Sequence, residues 1–315
     1  MTAAYPTRQA AHPWPLALIL GALLSFAGCG SDAPEPCSGA RLDKDPRLVF
    51  GGDRSVEILL PPDYDPTCPT PLLLILHGYS ASGALESLYF GGEAFSTDEG
   101  VIVAAPDGTR DAKDNAFWNS GGEYCCPYWD LSVDDVSYLE SLIDEIAEEY
   151  NVDQDRIYVL GHSNGAMMAY RLACELGHRL AAVAALAGPT VFDMGSCLPA
   201  LTSVLHLHGD ADDTVLYPGG DDLLGDGGPP YPGALASASA WAEHNGCGDA
   251  TVMGDPLDLD SRLDGAETVV ERWTGCPPEG QVELWTIQGG GHIPSLTTRG
   301  LPAIWQWMAP RRRAR

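Results

Sequence analysis

Five consecutive residues, Gly161-His162-Ser163-Asn164-Gly165, constrain this chain more than any other stretch. They close the apolar run Arg156-Ile157-Tyr158-Val159-Leu160 and open a helical stretch beginning Ala166-Met167-Met168-Ala169. A G-x-S-x-G set between a strand and a helix is a turn so sharp that its serine takes strained backbone angles. Glycine at both flanks, Gly161 and Gly165, meets that demand, because a larger side chain would clash. Ser163 is therefore the candidate nucleophile. A hydroxyl at its ordinary pKa attacks poorly, so the remaining chain must supply a base, an acid and donors for a developing oxyanion.

The surrounding pattern is that of an alternating α/β chain. Continuous apolar runs at residues 72–76 and 101–105 read as strands buried on both faces. A shorter run at 56–60 reads as a first strand, ended by Pro61-Pro62. Apolar residues at Val133, Val136, Leu139, Leu142, Ile143 and Ile146 have helical spacing, with carboxylates on the other face. Further strands are expected at 157–160, 181–186, 203–208 and 282–287, and helices after Ser163, at 234–244 and at 301–308. This alternation predicts a single α/β domain with a mostly parallel central sheet flanked by helices. Two stretches interrupt it, 107–131 and 218–232, both after expected strand ends, where open α/β sheets place ligands.

In such a sheet the chain order is serine, acid, histidine. The strand ending at His208 runs into Gly209-Asp210-Ala211-Asp212-Asp213. Asp212 is the candidate acid, with Asp210 and Asp213 as rivals that the pattern leaves open. The last strand ends in Gly289-Gly290-Gly291-His292, small residues that let a loop carry an imidazole over the sheet, and His292 is the candidate base. Backbone N–H groups of Asn164, at the start of the helix, and of Tyr79, in His77-Gly78-Tyr79-Ser80, are the candidate oxyanion donors. His77 and His162 read as structural neighbours of the site. Trp118, Tyr124 and Trp129 put aromatic surface in a candidate substrate loop. No metal or organic cofactor is required.

Composition sets the compartment and excludes some partners. The net charge of −27 would repel a phosphate backbone, so nucleic acid is not expected as a partner. The first 28 residues hold one arginine and no carboxylate, and 14–26 is an apolar run shorter than the about 20 residues of a spanning helix. Phe26-Ala27-Gly28-Cys29 resembles a bacterial lipobox, with Cys29 the lipidated residue. Residues 1–28 are therefore expected to be a lipoprotein-type export signal, 29–46 a tether, 47–310 the catalytic domain and 311–315 a frayed basic tail. Membrane contact is expected only through the lipid. Nine cysteines fit an oxidising, extracytoplasmic space. Cys37 with Cys68 and Cys247 with Cys276 are plausible bridges, and the acidic stretch 255–264 reads as a solvated loop.

An ordered set of motifs carries a family resemblance. It comprises His77-Gly78, Pro106-Asp107-Gly108, Trp118-Asn119, Cys125-Cys126, Val133-Asp134-Asp135-Val136, the Ser163 pentapeptide, His208-Gly209 with Asp212, Trp241 with Asn245-Gly246-Cys247, and Gly289-Gly290-Gly291-His292. Together, over about residues 48–308, they resemble the poly(3-hydroxybutyrate) depolymerase and feruloyl esterase family of α/β-hydrolases, related to esterases that deacylate xylan. The resemblance implies an α/β-hydrolase fold, an acyl-enzyme mechanism with Asp212 as the acid, and an ester substrate, either polysaccharide-linked or a hydroxyalkanoate. Family members often continue the histidine with Thr-Trp-Pro. Here Ile293-Pro294-Ser295 follows, so the substrate carries over less directly than the triad.

Two other classes compete. His206-Leu207-His208-Gly209-Asp210 has the H-x-H-x-D spacing of a di-zinc hydrolase, but Ala211 follows where an Asp-His pair is required. A non-catalytic binding lipoprotein could use the same fold, but would have no need of a complete triad.

Overall fold

Runs of apolar residues become central strands here because both faces of the sheet are covered. In β1 (Thr70–Leu76), Leu72, Leu74 and Leu76 enter one core while Leu73 and Ile75 enter the other, and all are buried. This computed structural model describes residues 37–42, 45–121, 132–223 and 228–315. The remaining sheet strands are β2 (Ile102–Ala104), β3 (Val152–His162), β4 (Ala182–Leu186), β5 (Ser203–Gly209), β6 (Thr251–Met253), β7 (Thr268–Trp273) and β8 (Val282–Ile287). The eight strands lie in the order β6-β7-β8-β5-β4-β3-β1-β2. Every neighbouring pair from β8 through to β2 is parallel, whereas β7 is antiparallel to both β6 and β8. The result is an α/β-hydrolase fold in a single domain.

Helices α3 (Asp135–Glu149), α4 (Asn164–Leu176) and α5 (Ala234–His244) bury their apolar stripes in one core. Residues of α2 (Gly92–Thr97) and α6 (Gly300–Met308) fill the other, beside α1 (Gly83–Tyr89). The sequence pattern places most of these elements to within a few residues, but it misses α1, α2, β6 and β7. The expected strand at 56–60 is shorter: Val56–Glu57 pairs with Val49–Phe50, and Leu59 makes one bridge to Val103. Pro61-Pro62 follows, and its missing N–H groups end the pairing.

Three disulfides join described residues: Cys37–Cys68 and Cys247–Cys276, as anticipated, and Cys174–Cys197, which was not. Cys125, Cys126 and Cys29 lie outside the described residues. The basic tail is docked rather than frayed. Arg312 pairs with Asp153 at 3.0 Å, Arg313 pairs with Asp155 at 2.8 Å, and Arg315 also bonds Asp155. Its guanidinium groups find carboxylates presented at the start of β3. Among the described residues no helix is long and apolar enough to cross a membrane.

Candidate active site

The elbow joins β3 to α4. Ser163 has φ 55° and ψ −118°, a positive-φ conformation that a non-glycine residue holds only when its surroundings enforce it. Its amide donates to Leu186 O at 2.8 Å. A Cβ at Gly161 would stand 2.2 Å from Gly165 O, and one at Gly165 would stand 2.1 Å from Leu76 O. Both are contacts with backbone that cannot swing aside, so the flanking glycines are sterically required.

Three side chains meet at the ends of β3, β5 and β8. His292 Nε2 lies 3.0 Å from Ser163 Oγ, and His292 Nδ1 lies 2.8 Å from Asp212 Oδ2. Asp212 is 4% exposed, and its Oδ1 accepts from the amides of Thr214 at 2.8 Å and Val215 at 2.9 Å. Burial alone would raise this carboxyl. Hydrogen bonds from His208 and His292 outweigh it and hold Asp212 well below the usual carboxylate range, so it stays ionised. Of the three aspartates left open by the pattern, only Asp212 bonds the histidine. Asp210 Oδ1 instead accepts from the Gly289 amide at 2.6 Å, at the entrance of the histidine loop.

The loop 77–80 lies against the elbow: a Cβ at Gly78 would stand 3.4 Å from Ser163 Cβ. His77 is buried, with Nε2 accepting from the Gly108 amide at 2.9 Å, which leaves Nδ1 to donate to Gly78 O at 2.7 Å. The Tyr79 hydroxyl donates to Asp111 Oδ2 at 2.9 Å and accepts from Asn115 Nδ2 at 2.8 Å, while the residue stays 39% exposed. Trp118 does not offer substrate surface. It is buried, and its backbone amide and carbonyl clasp the Asn164 side-chain amide at 2.7 and 2.9 Å. Its indole N–H donates to His77 O at 3.1 Å. An aromatic residue in a glycine-rich loop suggested an exposed platform, but the polar groups around it make it a brace instead. Tyr124 and Trp129 lie outside the described residues.

Further residues shape the site: His162 is the structural neighbour it was read as, Asp135 lies within a quoted motif that gave it no role, and Glu86 and Asp260 had no signal in the sequence pattern. Asp135, buried, accepts from the Asn119 amide at 2.7 Å and pairs with Arg54 at 2.6 Å, beneath Trp118. Glu86 of α1 accepts weakly from the Gly78 amide at 3.4 Å. His162 Nε2 donates to His292 O at 2.9 Å, and burial, reinforced by the neighbouring His292, pushes its pKa down to about 4. It is therefore a neutral strut between the elbow and the histidine loop. The stretch 255–264 is not simply solvated. Asp260 is 1% exposed and accepts from the Ser295 amide at 3.1 Å, and Arg262 donates to Ile293 O at 2.6 Å, so this segment grips the loop just beyond His292.

The geometry is a serine, an imidazole and an ionised carboxylate in one hydrogen-bonded line on an α/β-hydrolase sheet. Residues 48–257 match the family described as "Putative esterase", and the chain belongs to that family. Feruloyl esterase D of Neurospora crassa is 25% identical over 307 residues, covering 90% of each chain. Feruloyl esterase C of Emericella nidulans is 27% identical, over 76% of this chain and 80% of the relative. A bifunctional acetylxylan esterase/xylanase, XynS20E of Neocallimastix patriciarum, is 28% identical over 53% of this chain, a match spanning only 22% of that longer protein. Among solved structures, an acetyl xylan esterase from Aspergillus awamori superposes with a TM-score of 0.56 at 14% identity, covering 82% of this chain and 97% of that one. That likeness is one of fold.

Proposed function

We propose that this protein is an exported serine carboxylic ester hydrolase of the feruloyl or acetyl-xylan type, acting on plant cell-wall polysaccharide esters. The observation that carries the reading is the line Ser163–His292–Asp212, set on a strained elbow. His292 Nε2 takes the hydroxyl proton as Ser163 Oγ attacks the ester carbonyl. The backbone N–H groups of Tyr79 and Asn164 stabilise the tetrahedral oxyanion. The imidazolium then gives its proton to the departing alcohol, leaving an acyl-serine. Water, deprotonated by the same histidine, attacks the acyl carbon and releases the acid. Asp212 holds His292 in the tautomer that leaves Nε2 free to accept.

The feruloyl and acetylxylan names of the relatives support the choice of acyl group, and the three disulfides support an oxidising compartment. Lipidation at Cys29 would keep the enzyme on the envelope. The test is a fluorophosphonate label followed by a panel of methyl ferulate, acetylated xylan, hydroxybutyrate oligomers and short nitrophenyl esters. Labelling at Ser163 is expected, with turnover of ferulate or xylan acetate and a loss of kcat on the order of 10⁴-fold or more in Ser163→Ala. Turnover confined to hydroxybutyrate oligomers would move the substrate to polyesters. An unlabelled serine in folded protein would end the hydrolase reading.

A further inference from the structure

Behind Asp212 runs a row of buried polar side chains that acyl transfer leaves unused. Tyr170 of α4 and His206 and His208 of β5 are each no more than 1% exposed. The Tyr170 hydroxyl lies 2.5 Å from His206 Nδ1, and His206 Nε2 lies 3.1 Å from His208 Nδ1. His208 Nε2 lies 2.8 Å from Val215 O and 3.3 Å from Asp212 Oδ2. Alternate residues of a strand share a face, which is why an H-x-H run lines up two imidazoles here.

The direction of these bonds follows from what each atom can do. Val215 O and the Asp212 carboxylate oxygen only accept, so His208 Nε2 must carry hydrogen. With hydrogen on Nε2 alone, the His208 ring has a bare Nδ1, which needs a donor, and His206 Nε2–H supplies it. His206 Nδ1 is bare in turn, and the Tyr170 hydroxyl fills it. The opposite direction would set a bare nitrogen against two oxygen lone pairs, at a ring only 1% exposed. Burial pushes His206 well below the usual histidine range and the Tyr170 phenol well above its own. One end of the row is thus held neutral, with its proton fixed.

We propose that Tyr170, His206 and His208 form a one-way hydrogen-bond chain that fixes the His208 tautomer and makes His208 a positioning residue for Asp212, an inference that rests on the acyl-transfer reading above. Asp212 Oδ2 is then shared by two imidazoles, His292 from the site and His208 from the core, while Oδ1 holds two backbone amides. All the carboxylate's bonding directions are occupied, so it cannot turn away from His292. An aliphatic residue at 208 would take from Val215 O its donor and leave Asp212 Oδ2 held by His292 alone.

The purified full-length chain tests this in two ways. With p-nitrophenyl acetate, His208→Leu is expected to lower kcat about tenfold or more while KM stays within about twofold. His208→Gln, whose amide nitrogen can replace Nε2–H, is expected to recover most of that loss. Tyr170→Phe, nearly isosteric, is expected to lower kcat by about two- to fivefold. Nitrogen-15 spectra of the histidine-labelled wild type should show hydrogen on Nε2, and none on Nδ1, of both His206 and His208. Hydrogen on Nδ1 of either ring overturns the chain, whatever the kinetics. A wild type that turns over ester alongside an equally fast His208→Leu, or a His208→Gln as slow as His208→Leu, overturns the positioning role alone. A wild type with no ester turnover overturns the acyl-transfer reading, and the positioning role falls with it.

Discussion

Two loops flank Ser163, and each is held from outside by one buried carboxyl group in an opposite electrostatic setting. On the side of the loop 77–80, Glu86 accepts from the Gly78 amide at 3.4 Å, and its Oε1 is buried with no hydrogen-bond partner among the described residues. Its Oε1 lies 3.8 Å from His162 Nδ1, on a ring that burial keeps neutral. On the histidine side, Asp260 accepts from the Ser295 and Arg262 amides and from the Arg262 guanidinium, at 3.0–3.2 Å. Burial wins at Glu86, whose pKa is raised to about 7. At Asp260 burial also acts to raise it, but Arg262 and the amides overcome that, and the pKa falls below the ordinary value. The same functional group thus keeps its proton up to about pH 7 on one side of the serine and is a charged anchor on the other. Partners, rather than depth, decide which.

The sharpest way to break this contrast is pH. Glu86 binds its proton more tightly in the folded chain than in the unfolded one. Its contribution is therefore fully present below pH 4.5 and is lost as pH rises through about 7. The gap is worth roughly 3 kcal/mol. Glu86→Gln should leave stability near wild type at pH 4 and exceed it at pH 8 by a large part of that amount, in urea or thermal unfolding. A variant that tracks the wild type across the range would show that Glu86 has found a charge partner.

Asp260 runs the other way. Its depressed pKa contributes stability above the unfolded value of 3.8, and that contribution is lost as pH falls through the folded one. Asp260→Ala strands the Ser295 amide rather than a buried cation, since the Arg262 side chain is 57% exposed. The expected cost is therefore that of one or two orphaned donors, about 2 kcal/mol at pH 7. Because Asp260 and Ser261 clasp the residues just past His292, kcat should fall about tenfold as well. A stability loss with unchanged kcat would mean that the loop holds its geometry without this clasp.

The asymmetry between the loops also explains what the sequence could reveal. The elbow is legible because its demands are local: two glycines, a serine, a strand before and a helix after. His292 and a group of three aspartates are legible because a fixed chain order places them at strand ends, and among the three it is the family resemblance that points to Asp212. Glu86, Asp135 and Asp260 act on amides that lie 8, 16 and 35 residues away, and nothing in their own neighbourhood announces the partner. The acidic composition of 255–264 even points the wrong way, since a cluster of carboxylates reads as solvated until Arg262 and Ser295 are brought to it. Strands β6 and β7 escape for a related reason. β6 is a three-residue edge strand with Val252 and Met253 both exposed, β7 beside it mixes buried and part-exposed residues, and neither has the continuous apolar run of a central strand.

Asp153 and Asp155, part-buried but paired with the exposed side chains of Arg312 and Arg315 and with part-buried Arg313, supply the near-surface counterpart that calibrates both buried cases. They stand at the start of β3 and bind Arg312, Arg313 and Arg315, whereas Ser163 follows the other end of the same strand. The rise of an extended strand separates Asp155 from Ser163 by about 25 Å, so this cluster has no route to the chemistry except through global stability. Such pairs gain little, because water competes for both charges and long side chains lose freedom. Deleting residues 312–315 should cost about 1 kcal/mol or less, shrink further in about 0.5 M salt, and leave kcat unchanged. A deletion that costs as much as Asp260→Ala, or that resists salt, would mean that the tail is bound by burial of its stems and backbone rather than by charge.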